Sequence, residues 1–195
     1  MFLDCYFEIK IFMLPDFKNN VDIRNIFKFF FNTINQSEGK IAVSFPNWNE
    51  KNIGNSIRFF ANENDWGVLL FMRNAELLKN FSDRNLIEIS NIDLVPDDVN
   101  TYYRFYRDRV TEKLSPNYLD RMKRRATRKN LPFDREKLKK SIESIVQKKD
   151  IHTIYLGNYT LFIARELAEI DFNSQEELKF SGYGLAPKGL GVPHF

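Results

Sequence analysis

The period of the hydrophobic pattern changes within the first 36 residues, and this change constrains the fold more than any other feature. Residues 5–12, CYFEIKIF, place Phe7, Ile9 and Ile11 on one side and charged residues on the other, which is typical of a half-buried strand. Residues 21–35 then switch to helical spacing. The apolar positions of this predicted helix are Ile23, Ile26, Phe27, Phe30 and Ile34.

Three more segments extend this order. Residues 39–46, GKIAVSFP, form a short predicted strand that a proline ends. Residues 65–81 have the pattern of a second helix, and residues 85–96 alternate again. The order strand, helix, strand, helix, strand predicts an α+β domain over residues 1–98, with a ferredoxin-like (RRM-like) arrangement.

The second half predicts a separate C-terminal domain over residues 99–195. Residues 102–110 alternate as a strand, and a basic helix over about 116–130 opens on a Ser-Pro pair. A further helix, residues 135–149, follows an aspartate cap. Two short strands, IHTIYL and YTLFIA, and a glycine-rich end complete the domain, whose boundary with the first is expected near 96–100.

Composition excludes several classes of protein. The 43% apolar fraction and the 19 phenylalanines are typical of a packed core. Cys5 is the only cysteine, which excludes a disulfide framework or a cysteine zinc site, and the two histidines are too few for a histidine metal site. We therefore predict no metal and no cofactor.

No apolar run reaches 18 residues and the N-terminus does not have the pattern of a signal peptide, so no membrane contact and a cytoplasmic location are expected.

Positive charge is concentrated in one block. Residues 104–140 hold 14 Lys or Arg against 5 Asp or Glu, a local charge of +9 (14 − 5). The whole chain carries +3, so the remainder carries −6 (3 − 9). A basic block in an otherwise acidic chain is typical of a nucleic-acid surface.

The basic helix carries its arginines on one face. At 100° per residue, four arginines fall within a stripe about 100° wide, opposite Leu119, Met122 and Ala126. Like charges at this spacing repel each other, and a solvated helix usually interleaves signs. The pattern therefore favours a polyanion ligand over the alternative, a solvated helix face. We call this set the arginine row: Arg121, Arg124, Arg125 and Arg128.

Four segments of the chain together resemble one family. The stretches KIAVSFPNW, RVTEKLSPNYLDRMKRRATRK, LFIAR and FSGYGLAPKGLGVPHF, in this order, are similar to the CRISPR repeat-processing endoribonuclease of subtype I-F. The resemblance implies binding of the CRISPR repeat RNA hairpin and metal-independent cleavage 3′ of it by the 2′-hydroxyl. It also implies that the protein stays bound to the crRNA with the other subunits of a type I-F effector complex.

The resemblance also implies which residues contact RNA. In the family the arginine-rich helix lies in the major groove of the hairpin, a linker Arg reads a guanine near the cleavage point, and an aromatic residue stacks on the base of the stem. Arg109 stands at the linker position, Thr111 stands where the family has a partner Gln, and Tyr159 matches the aromatic. The implied RNA-binding set on the helix is Arg121, Lys123, Arg124, Arg125, Arg128 and Lys129.

The catalytic residues of the family are only partly present. Tyr183 matches the family's tyrosine, but Phe30 stands at the position of the general-base histidine, or Phe31 after a one-residue shift, and the region of the family's serine contains none. His152 or His194 could substitute. Because phenylalanine cannot move a proton, we predict slow or absent cleavage with hairpin binding retained. The alternatives are a cleaving enzyme, a non-catalytic hairpin-binding subunit, and an unrelated basic RNA-binding protein.

Overall fold

The computed structural model describes residues 3–12, 21–156, 160–168 and 179–195, with the side chains of Val21 and Ile23 outside this set. Five α-helices lie in the described ranges: α1 (Val21–Gln36), α2 (Trp66–Arg73), α3 (Glu76–Asp83), α4 (Pro116–Arg128) and α5 (Arg135–Val146).

In the same ranges, nine strands form two antiparallel sheets. The first sheet has the order β2-β3-β1-β4, with β5 also paired to β1, and the second has the order β7-β8-β6-β9. The strands are β1 (Cys5–Ile11), β2 (Ala42–Ser44), β3 (Ser56–Ala61), β4 (Ile87–Ile89), β5 (Asp93–Leu94), β6 (Tyr102–Arg107), β7 (Asp150–Tyr155), β8 (Thr160–Leu167) and β9 (Val192–Pro193). The predicted α+β class is confirmed.

The first sheet is built around β1. Its alternation is confirmed, because Phe7, Ile9 and Ile11 are buried while Lys10 is exposed. Helix α1 packs on this sheet, and the ring of Phe30 in α1 lies 4.8 Å from that of Phe59 in β3. The sequence pattern did not predict β3, because all six of its residues are buried and a strand covered on both faces has no alternation.

Two other elements differ from their predicted form. The helix predicted over 65–81 is divided into α2 and α3, because Ala75 between them has an extended backbone (ψ 134°). The strand predicted over 85–96 is divided into β4 and β5, which pair with different parts of β1. Residues 90–92 lie between the two pairings, opposite only two residues of β1, so the register shifts by one residue. The order β-α-β-β-α-β, with two short helices in the second helical position, fits the ferredoxin-like arrangement, which stays a prediction.

The second half follows its predicted elements closely. Helix α4 begins with Pro116 at its first position, and the carboxylate of Asp134 caps α5 by accepting the N–H of Lys137. Strand β6, predicted to continue to Val110, ends at Arg107 because the next residue, Asp108, turns inward and is only 2% exposed.

One hydrophobic core joins the two sheets. Phe105 of β6 packs against Phe45 and Trp48, which follow β2, with ring centres 5.3 and 5.6 Å apart. The two sheets divide near the expected boundary at 96–100, but the division into two domains, 1–98 and 99–195, stays a prediction. None of the helices in the described ranges is long and apolar enough to span a membrane.

Candidate nucleic-acid interface and the adjoining cleft

The arginine row lies on the exposed face of α4. All four of its side chains are exposed, as are Lys123 and Lys129. On the opposite side Leu119 is 3% exposed, and Met122 and Ala126 are half-buried. The helix therefore docks by its apolar side, as predicted, and presents the row to solvent.

Little within the described part of the chain neutralises this row. The side chains of Arg124, Arg125 and Arg128 make no hydrogen bond or ion pair there, and the guanidinium of Arg121 lies over the ring of Tyr118, 5.2 Å from its centre. Asp120 at the edge of the row is paired with Arg135 of α5 at 2.8 Å. Four like charges held this close together repel one another, so an anionic ligand would relieve the repulsion.

The linker between β6 and α4 is held by a buried carboxylate. Asp108 accepts hydrogen bonds from the backbone N–H and the hydroxyl of Thr111 and from the ammonium group of Lys149. Burial alone would raise the pKa of Asp108, but the hydrogen bonds from Lys149 and Thr111 outweigh burial and hold the pKa below its ordinary value. Asp108 thus fixes the turn in which Arg109 is exposed.

This arrangement bears on two of the predicted RNA contacts. The hydroxyl proton of Thr111 is directed to Asp108 at 2.6 Å, so the side chain stabilises the linker instead of offering that proton to a base. Arg109 is exposed beside a cleft of about 620 Å³. Their contacts with a base stay predictions, and Tyr159 lies outside the described residues.

The cleft is assembled from four segments of the chain: α1, β6, the linker and the C-terminal segment 179–195, which we call the tail. Four cationic side chains line it, and none of the described residues that line it is acidic. A basic concave surface favours an anionic ligand, although two of its cations are paired with glutamates that are not part of the lining. The four cations are Arg104, Arg107, Arg109 and Lys179.

Tyr183 lies in this cleft, on the tail. Its ring meets Phe31 of α1 edge to face at 5.2 Å, and the guanidinium carbon of Arg107 lies 5.8 Å from the ring centre. The next residue, Gly184, has a φ of +69° and accepts the N–H of Val43 through its carbonyl at 2.9 Å. A Cβ at Gly184 would lie 2.5 Å from a methyl group of Val43, so this position requires glycine.

The two phenylalanines considered for the histidine position have different surroundings. Both are buried, Phe30 at 1% and Phe31 at 5% exposed, but Phe30 packs against Phe59 of β3, whereas Phe31 lines the cleft against Tyr183. The structure thus brings Phe31, the position reached by the one-residue shift, to Tyr183, the tyrosine implied by the resemblance. Phe30 continues the apolar stripe of α1.

His152 does not reach the cleft. Its Nε2 lies 2.7 Å from the carbonyl oxygen of Asn49, and its ring centre is 4.5 Å from that of Trp48. Because a carbonyl oxygen only accepts, Nε2 is the donor in this contact. His152 therefore joins β7 to the loop after β2 and is not placed to act on a ligand beside Tyr183.

His194 also lies away from the cleft. It packs edge-on against Tyr103 at 4.9 Å, and burial lowers its pKa, assisted by the positive charges of Arg165 and Arg58. Its Nδ1 is buried and has no hydrogen-bond partner among the described residues. Neither histidine lines the cleft, so the structure does not bring either of them to Tyr183.

Sequence reasoning did not single out two other residues of the cleft. Arg107 ends β6, and Ser181 accepts the backbone N–H groups of Tyr183 and Leu185 through its hydroxyl at 3.3 and 3.1 Å. The run RFYRDR, residues 104–109, could have pointed to Arg107, since its three arginines lie ahead of the basic helix. The sequence contained no comparable signal for Ser181, because its proximity to α1 depends on the path of the tail.

The fold and these surfaces define a basic α+β protein with an exposed arginine-rich helix and a cationic cleft. Residues 6–195 match the family described as CRISPR-associated protein (Cas_Csy4). The chain therefore belongs to this family, that of the type I-F repeat endoribonucleases, and the resemblance drawn from its motifs is confirmed. A search of curated proteins found no significant match.

Proposed function

We propose that this protein binds the hairpin of CRISPR repeat RNA, with the arginine row in the groove of the stem and the cleft at the base of the hairpin. The observation that carries the proposal is the unneutralised arginine row on a docked helix, in a chain whose family processes CRISPR repeats. This observation also disfavours the alternative of an unrelated RNA-binding protein.

The dimensions of the row suit a polyphosphate backbone. The distance along the helix axis from Arg121 to Arg128 is about 10 Å, since seven steps of 1.5 Å per residue separate them. Guanidinium groups at this spacing can contact successive phosphates, and their planar forks match phosphate oxygens or a guanine edge. The major groove of A-form RNA is narrow, so the helix would enter where a short stem opens near its end or loop.

In the same proposal the cleft lies beside the phosphodiester 3′ of the stem. Arg109 sits between the start of α4 and the cleft, so it is suited to contact a base at that point while the row holds the stem. Tyr183 would then lie next to the ribose. Cleavage by the 2′-hydroxyl also needs a group that removes its proton, which is most often a histidine.

We infer that the protein holds this RNA but cleaves it slowly or not at all. Phe31 carries no group that can accept a proton, and both histidines have structural contacts elsewhere. In this form the protein would act mainly as a hairpin-binding subunit of a type I-F effector complex. Co-elution of the protein, crRNA and the products of neighbouring CRISPR genes in gel filtration would test that role.

The deciding experiment measures binding and cleavage on the same samples. Cognate repeat RNA is incubated with excess protein in EDTA, and bound and cleaved fractions are followed under single-turnover conditions. We expect tight binding, with cleavage slower than that of a histidine-containing family member by about 10²–10⁴-fold, the usual contribution of a general base.

Three results would contradict parts of the proposal. Absence of specific hairpin binding would refute the proposed function itself. Fast cleavage that persists in His152→Ala and His194→Ala would leave binding intact but show that another group serves as the base. Fast cleavage lost in one of these variants would identify that histidine as the substitute.

A further inference from the structure

Arg107 connects the cleft to the linker of the basic helix. Its Nε donates to the carboxylate of Glu112, in the 3₁₀ turn that precedes α4, at 2.6 Å. Its guanidinium carbon also lies 5.8 Å from the centre of the Tyr183 ring. One guanidinium therefore contacts both the tail and the linker that carries Arg109.

The other cations of the cleft have different surroundings. Arg104 is directed to the tail, since its Nε donates to the carbonyl oxygens of Ala186 and Pro187 at 3.2 and 3.0 Å, and it is paired with Glu166 at 2.6 Å. Arg109 and Lys179 are exposed. Arg107, like Arg104, is half-buried, with 32% of its side chain exposed, and its guanidinium is the one that contacts the Tyr183 ring among the described residues. A charge that is partly removed from water acts more strongly on an anion than a fully solvated one.

We propose that Arg107 binds a phosphate group of the RNA beside Tyr183, and that Glu112 sets the orientation of its guanidinium. This inference rests on the proposed function, because it assumes that the base of the hairpin lies in the cleft. A guanidinium has five N–H donors in a fixed fork, so it can hold Glu112 and a phosphate oxygen at the same time. The ligand is either a terminal phosphate on a cleaved RNA or the bridging phosphodiester of an uncleaved one.

In this role the cleft binds a phosphate group, which requires no proton transfer. With Phe31 beside Tyr183, the site keeps a positive group for the phosphate although it presents no imidazole. A protein of this kind would distinguish RNAs by the phosphate at the base of the hairpin. The arginine row, in contrast, would hold the stem whatever group follows it.

The test uses three RNAs made from the cognate repeat. All contain the hairpin; one ends just after the stem in a 3′-hydroxyl and one in a 3′-phosphate. The third continues for several nucleotides, with a 2′-deoxy sugar before the phosphodiester so that it cannot be cleaved. Dissociation constants are measured for the wild-type protein and for Arg107→Gln, Arg107→Met and Glu112→Gln.

We expect the wild-type protein to prefer the two phosphate-bearing RNAs over the 3′-hydroxyl RNA by about tenfold. Arg107→Gln and Arg107→Met should each abolish most of this preference and change binding of the 3′-hydroxyl RNA less than about threefold. Glu112→Gln should have an intermediate effect. Arg84→Gln is the matched control, because it removes one positive charge from an ion pair with Asp22 that lies outside the cleft.

The outcomes separate this inference from the proposed function. If wild-type protein binds all three RNAs equally well, or if both Arg107 variants keep the full preference, the role of Arg107 is refuted while hairpin binding stands. If wild-type protein binds none of the hairpins, the proposed function fails. A loss confined to one phosphate-bearing RNA supports the inference and identifies the source of the phosphate. Thermal unfolding of each variant checks that the fold is unchanged. Because Gln is polar and Met is apolar, a loss shared by both Arg107 variants is due to removal of the guanidinium.

Discussion

The arginine row and the cleft are both basic, but they are built in opposite ways. The row comes from a single helix, α4, in which spacing alone places four arginines on one face. The cleft comes from four segments that are as far apart in the chain as Phe31 and Tyr183. The side chains of the row are exposed, whereas the part of the tail that lines the cleft is held by backbone hydrogen bonds to β2 and β6.

If the row binds the RNA and the cleft is where it would be cleaved, as proposed, this difference separates binding from cleavage. Substitutions in the row should change RNA affinity and hardly affect folding, because exposed side chains contribute little to stability. Substitutions around the cleft should change folding and chemistry together, since the same contacts that place Tyr183 also join the two sheets. Each of the following predictions tests one side of this contrast.

The largest effect is expected from Phe31→His. This change places an imidazole beside Tyr183, and a positioned general base contributes about 10²–10⁴-fold to a rate. We expect a gain of this order in single-turnover cleavage of cognate repeat RNA in EDTA, with little change in affinity.

Phe30→His is the control for that gain. Phe30 is packed in the core, so its replacement should lower the free energy of unfolding by roughly 3 kcal/mol and give no gain in cleavage. If Phe30→His and not Phe31→His accelerates cleavage, the placement of the vacant histidine position beside Tyr183 is wrong.

Gly184→Ala should be the most destabilising of the small substitutions. Its left-handed φ and the contact with Val43 together should lower the free energy of unfolding by about 3 kcal/mol, measured by chemical denaturation. Gly189→Ala is matched in φ, at +87°, but has no atom within 4 Å of the added methyl group. It should cost only about 1 kcal/mol. Equal losses at both positions would show that packing against β2 does not matter.

The paired substitution Arg124→Ala and Arg128→Ala tests the row. We expect hairpin affinity to fall on the order of 100-fold, because each charged contact contributes about 1.5–3 kcal/mol. The slope of log K against log salt should decrease by about two units. The unfolding free energy should stay within about 0.5 kcal/mol.

Lys137→Ala with Lys140→Ala is the matched control for the row, since it removes two exposed positive charges from the neighbouring helix α5. A smaller loss of affinity is expected for this pair. If the salt slope is unchanged in the arginine variant, or changes equally in both, α4 is not the specific binding face.

The smallest effect concerns the linker and depends on pH. The pKa of Asp108 is lowered in the folded protein, so its carboxylate stabilises the fold at pH values above the ordinary aspartate pKa of about 3.9. This stabilisation is lost as the pH falls through the lower folded pKa, where the unfolded chain has already taken up its proton.

Asp108→Asn should therefore lower the free energy of unfolding on the order of 2 kcal/mol at pH 7, by removing the pair with Lys149. The difference from the wild-type protein should shrink as the pH is lowered below about 4. Urea denaturation at several pH values measures it. A difference that is independent of pH would show that the charge of Asp108 does not contribute.

Much of the fold could be predicted because its elements have clear local periods. β1, α1, α4 and α5 were all predicted, since caps and apolar stripes are local features. The cap predicted at Asp134 of α5 is formed, and α4 begins with the predicted Pro116, but the side chain of Ser115 makes no cap hydrogen bond. β3 was missed because a strand buried on both faces has no alternation. The break between α2 and α3 was also missed, since the sequence around Ala75 has no glycine or proline to mark it.

The candidate site shows the same limit at the level of single residues. Matching motifs across a loop can be wrong by one residue, and one residue on a helix is a rotation of 100°. That rotation separates Phe30, which points into the core, from Phe31, which points at Tyr183. Motif spacing therefore narrowed the predicted histidine position to two residues, and the tertiary structure gives these two residues different surroundings.

The sequence by itself determined the arginine row, its apolar docking side and the family to which the chain belongs, because these depend on spacing within short segments. Only the tertiary structure decided that Arg107 and Phe31 surround Tyr183 and that both histidines lie elsewhere. Those relations depend on how the tail crosses β2 and β6, where the hydrogen bond from Val43 to Gly184 fixes its path. Contacts between segments more than 100 residues apart follow from packing of the whole core, which no local pattern encodes.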